Sequence, residues 1–73
     1  MIFVNGKKIQ DLRLGLGLTL EELAKYVGCG AAMLNHVENG SKQPGIILLK
    51  RIANYFGLTT DELIIEINPQ AQS

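Results

Sequence analysis

The stretch TLEELAKYVGCGAAMLNHVENG, residues 19–40, reads as two short helices joined by a glycine turn. Thr19 suits the cap of the first helix. Its hydroxyl accepts from the orphan backbone N–H groups of the first turn, and Glu22 three residues on reaches back. Leu18 before the cap and Leu23 within the helix form the matching hydrophobic staple. Leu20, Leu23, Ala24 and Val27 recur at helical spacing. Gly28 supplies the left-handed conformation that ends a helix, and Gly30 can cap the next one. Met33, Leu34 and Val37 give the second helix an apolar side. Gly40 ends it after Asn39, and Ser41-Lys42-Gln43-Pro44 follows as a loop.

Neither helix is long enough to be stable alone in water, so the two must cross and bury a shared face. Ala24 stands where a larger side chain would hold the second helix away. A small residue there, Gly28 four residues later, then Leu34 and Val37, is the spacing of a helix-turn-helix. With Ile9, Leu12-Arg13, Gly17-Leu18-Thr19, Glu21-Glu22-Leu23-Ala24, Gly28, Val37-Glu38-Asn39-Gly40, Pro44, Ile52-Ala53, Gly57-Leu58-Thr59 and Asp61-Glu62-Leu63 in this order, residues 5 to 65 resemble the Cro/repressor-type (XRE-like) helix-turn-helix family of phage and bacterial transcriptional regulators. The resemblance implies an all-α, compact five-helix, lambda-repressor-like DNA-binding domain with the helix-turn-helix at its second and third helices.

Outward from this pair, the patterning predicts helices at about 5–15, 19–27, 30–39, 45–56 and 60–65. Ile9, Leu12 and Leu16 lie on one side of the first; Leu49, Ile52, Ala53 and Phe56 form the core side of the fourth. Thr59 with Glu62 makes a second capping box, and Leu58 with Leu63 a second staple. Met1 to Val4 is β-prone and reads as a tail or a short strand, and Ile64-Ile65-Glu66-Ile67 is β-prone as well. One domain over 1–68 with a flexible tail over 69–73 is the expected organisation.

Composition narrows the function classes. No apolar run in the 73 residues reaches the ~18 a membrane span needs. The N-terminus lacks the pattern of a signal peptide, and a single cysteine excludes an internal disulfide. A reducing, cytoplasmic setting is the expectation, with no membrane partner. Seven basic residues balance seven acidic ones, which is not the basic signature of a typical DNA binder. Catalysis finds no constellation. Cys29 and His36 are seven residues apart, roughly 10 Å along a helix, too far to share a metal within one chain. Glu21-Glu22 and Asp61-Glu62 serve helix starts, where the dipole favours them. An enzyme, a cofactor, a metal and a small-molecule ligand are not expected.

The resemblance implies particular roles. The third helix would enter the major groove, with Ala31, Ala32, Asn35 and His36 at the base-reading positions. Ala31 and Ala32 offer only methyl groups, for instance to a thymine C5-methyl; Asn35 could pair with adenine, and His36 could reach a base or a phosphate. Thr19, Asn39, Gly40, Ser41 and Lys42 would hold phosphates. Leu20 departs from the family, which usually has glutamine there as a phosphate clamp. Arg13 and Glu38 would form a partly buried ion pair tying the first helix to the end of the third, with Ala24 and Gly28 setting the helix crossing. Relatives often dimerise through the C-terminal end, which places Tyr55, Leu58, Ile64, Ile65 and Ile67 at a homodimer interface. Leu14, Leu16, Leu20, Ile47 and Leu48 occupy positions more often polar in the family, and a contiguous exposed subset would mark an interface. The expected function is sequence-specific binding of double-stranded DNA by a small repressor. The alternative is a protein-interaction module on the same scaffold, antitoxin-like or an oligomerisation domain.

Overall fold

A computed structural model describes residues 2–66. The elements in order are strand β1 (Ile2–Val4), helices α1 (Gly6–Gly15), α2 (Leu20–Val27), α3 (Ala31–Asn39) and α4 (Ile46–Tyr55), a 3-10 turn (Thr60–Leu63) and strand β2 (Ile64–Glu66). The expected all-α, five-helix architecture is thus corrected. There are four α-helices, and the segment expected as a fifth is one 3-10 turn that runs into a strand. The Thr59–Glu62 capping box does start a turn there. It stops because the next residues, Ile64 and Ile65, are β-branched and find a partner in β1. The strands are antiparallel, with Ile2 opposite Glu66, Phe3 opposite Ile65 and Val4 opposite Ile64. The Asn5 N–H extends the ladder onto the Leu63 carbonyl at 2.7 Å. Ile67 and the expected tail over 69–73 lie outside the described residues. Among those described, no helix is long and apolar enough to cross a membrane.

The helices surround one core of Ile9, Leu23, Ala24, Val27, Leu34, Val37, Leu49, Ile52, Ala53 and Leu63. Ala24, on α2, is 3% exposed within this core. Gly28 closes α2 with φ of 75°, a backbone conformation that costs any L side chain. Leu20 and Leu48, two of the unusual leucines, are half-buried and pack on the core, whereas Leu14, Leu16 and Ile47 are exposed.

A second glycine matters for a different reason. Gly6 is buried in the first turn of α1, against the C-terminal end of α3. A Cβ built there would lie 2.2 Å from the Val37 carbonyl oxygen and 2.5 Å from that of Glu38. The two helices touch backbone to backbone. Asn5 caps the same helix end by accepting from the Lys8 N–H.

Between α1 and α3 also lies the ionic centre of the fold. Arg13 Nε donates to Glu38 Oε2 at 2.8 Å, Arg13 Nη2 to Glu38 Oε1 at 3.0 Å, and Arg13 Nη1 to the Leu18 carbonyl at 2.8 Å. Arg13 is 8% exposed and Glu38 7%. The hydrogen bond to Glu38 holds the guanidinium above its already high ordinary pKa, against the opposing effect of burial. It stays charged at any working pH, so the pair is a true ion pair.

Candidate functional site

Local rules place the outer side of α3. Leu34, Val37 and Glu38 turn inward, so at 3.6 residues per turn the residues between them face out. Ala32 and Asn35 are exposed, and His36 is half-exposed. No described element covers this side. Ala31 is half-buried against the core. Of the four expected base-reading residues, the structure therefore puts Ala32, Asn35 and His36 together at the surface and turns Ala31 partly inward.

The expected phosphate contacts are arranged differently from one another. Thr19 is committed to its helix. Its hydroxyl accepts from the Glu22 N–H at 3.1 Å and its own N–H donates to Glu22 Oε1 at 3.0 Å. The loop after α3 folds its N–H groups back onto the helix end. The Gly40 N–H donates to the Val37 carbonyl, and those of Ser41 and Lys42 donate to the His36 carbonyl. Gly40, at φ of 82°, makes that reversal possible. What remains outward is the Lys42 ammonium and the Asn39 amide NH2.

The Glu22 carboxyl is held below its ordinary range, first by the Thr19 N–H and then by the Thr19 hydroxyl. A carboxylate whose pKa falls on folding contributes stability above its unfolded value and loses it as pH drops through the folded one. The start of α2 should therefore loosen on acidification. Amide exchange at Thr19 and Glu22 across an acid titration checks this, and Glu22→Gln should flatten the response.

Two groups near the site had no signal in the local sequence. Arg51, on α4, lays its guanidinium over the turn between α2 and α3, its Nη1 3.0 Å from where a Cβ on Gly28 would be. It brings a cation toward the start of α3. Gln43 Oε1 accepts from the Val4 N–H at 2.8 Å, tying the loop after α3 to β1. Both contacts join residues far apart in the chain. Two other lysines are engaged elsewhere: Lys7 pairs with Asp11 at 3.2 Å and Lys8 donates to the Glu62 carbonyl.

The expected dimer residues within the described range differ in exposure. Tyr55 stacks on Tyr26 with ring centroids 5.3 Å apart and 11° between planes. Leu58 and Ile64 are half-buried against the core, and Ile65 is exposed on β2. Among the described residues no three His, Cys, Asp or Glu side chains come together as metal ligands. Cys29 lies in the turn before α3, and burial pushes its thiol above the ordinary pKa, away from the reactive thiolate.

A helix-turn-helix family model matches residues 9–63. The HTH-type transcriptional activator BcrR of Enterococcus faecalis is 36% identical over 58 residues, 80% of this chain and 28% of that protein. The cryptic phage CTXphi transcriptional repressor RstR of Vibrio cholerae is 32% identical over 57 residues, 78% of this chain and 51% of that one. The chain thus spans between about a quarter and a half of these relatives' lengths. In fold, the chain is similar to a solved complex of SinR protein with SinI protein, with a TM-score of 0.76 over 94% of this chain and 67% of that one at 21% identity.

Proposed function

The chain belongs to the helix-turn-helix family, and from that premise we propose that it binds double-stranded DNA sequence-specifically as a transcriptional regulator, with α3 in the major groove. The observation that carries this reading is the uncovered outer side of α3, where Ala32, Asn35 and His36 stand exposed or half-exposed above a buried Leu34-Val37-Glu38 face. A helix pinned from behind and bare in front is what a groove ~12 Å wide admits. Asn35 offers the donor and acceptor that adenine complements; Ala32 offers a methyl to thymine. Lys42, the Asn39 amide and Arg51 supply the backbone contacts that position without specifying. Occupancy of an operator, and so repression, is the simplest use of such a domain. The setting this implies is the cytoplasm.

A salt titration of duplex binding tests the proposal. Each phosphate neutralised contributes about −0.9 to the slope of log K against log salt. A clear negative slope is expected, and Lys42→Ala should weaken all sequences alike and reduce its magnitude by about 1. Asn35→Ala should lower discrimination at one base pair by ~1–3 kcal/mol. No binding at low salt would favour the rival reading, a protein-interaction module. The zero net charge and the exposed Leu14, Leu16, Ile46 and Ile47 are what speak for that rival.

We further propose a homodimer, which would present two α3 helices to half-sites ~34 Å apart. Tyr55 and Ile65 are the exposed members of the proposed interface. Light scattering should return twice the 8.0 kDa chain mass. A single-chain mass at high concentration would remove the dimer.

A further inference from the structure

Resting on the DNA-binding reading, we infer that Asn39 and Ser41 fix the tautomer of His36, so that its Nε2 faces the duplex as a hydrogen-bond acceptor for a base amino group. The three side chains form a chain of short contacts. Asn39 Oδ1 accepts from the Ser41 N–H at 3.0 Å. That bond orients the amide, since the flipped NH2 would set two donors against each other. Ser41 Oγ lies 2.6 Å from the same Oδ1. An amide oxygen carries no hydrogen, so the single Ser41 proton lies on this contact rather than on the 3.4 Å one to the His36 carbonyl. Ser41 Oγ then has only lone pairs to offer His36 Nδ1, 2.8 Å away. Nδ1 must hold the proton. In the neutral ring Nε2 is therefore an acceptor.

Nε2 is also available. It makes no hydrogen bond to the described residues, and no side-chain nitrogen or oxygen among them is both buried and unpartnered, so it lies at the surface. An acceptor in the major groove complements the N6 amino group of adenine or the N4 amino group of cytosine, and meets repulsion from guanine O6 or thymine O4. Asn39 and Ser41 are on this account positioning residues acting through the ring.

The chain has one histidine, so its ring nitrogens give a single set of NMR signals. Long-range ¹⁵N spectra of the neutral ring should show Nδ1 protonated, the tautomer an unconstrained histidine disfavours. Ser41→Ala should move the ring toward the Nε2–H form, and Ser41→Thr, which keeps the hydroxyl, should restore the wild-type signature. In selection from randomised duplexes, Ser41→Ala should reduce the preference for adenine or cytosine at one base pair about 5-fold or more while leaving the salt slope unchanged. A wild-type ring protonated on Nε2, or a Ser41→Ala variant with unchanged spectrum and preference, overturns the inference. Failure of wild-type protein to bind any duplex, with Nδ1 still protonated, overturns the DNA-binding reading and with it the base contact.

Discussion

Replacing Glu38 with alanine is expected to cost about 3–5 kcal/mol of folding stability, measured by urea or thermal unfolding. A 73-residue domain has roughly 4–11 kcal/mol in total, so much of the population would unfold near physiological temperature. The loss is large because of what stays behind. Arg13 would keep its charge, its burial and the Leu18 carbonyl, but two of its three bonds would end in a void. Arginine cannot shed its proton to relieve this, and the folded environment raises its pKa further. Replacing both partners with apolar residues of similar volume, Arg13→Met with Glu38→Leu, should cost much less than either single change. A double variant as unstable as Glu38→Ala would mean that the pair acts through specific geometry rather than through compensation of buried charge.

The second large effect is expected at Gly6. Alanine there should destabilise the fold by about 3 kcal/mol, the upper end of the overpacking range. The methyl group would meet the Val37 and Glu38 carbonyl oxygens, and these are backbone groups that cannot rotate aside. Relief requires α1 to move away from α3, which would also stretch the Arg13–Glu38 pair. Gly15 provides the control. It lies in the same helix, with nothing within 4 Å of where a methyl group would stand and no positive φ, so Gly15→Ala should be neutral or mildly stabilising. Equal losses at the two glycines would show that helix propensity, not contact, governs both.

Features decided by neighbouring residues were legible in the chain. Thr19 with Glu22 and Thr59 with Glu62 announce their capping boxes at three-residue spacing, and Gly28 and Gly40 announce helix ends. The apolar spacing picks out Leu23, Ala24, Val27, Leu34 and Val37, all buried. Features decided by distant partners were not. The β-prone character of residues 1–4 and 64–67 is readable, but not that these segments pair across some sixty positions, and the capping box at Thr59 reads as the start of a helix reaching residue 65. Gly6 carries no mark of close approach, because its φ is ordinary and its obstacle belongs to α3. At the candidate site, exposure of Ala32 and Asn35 follows from helical periodicity. The approach of Arg51 to Gly28 and the tie from Gln43 to Val4 join residues far apart in the chain, which local spacing does not reveal.

The pairing of β1 with β2 sets Ile2 across from Glu66, so the two ends of the described polypeptide lie side by side. Its connectivity is then separable from its architecture. A chain recut in the exposed stretch Ser41–Gln43, with a short bridge from residue 66 to residue 2, would retain every helix contact and change only the order in which they are made. The price would be borne by the Ser41 and Gln43 contacts, which hold the loop, and not by the core.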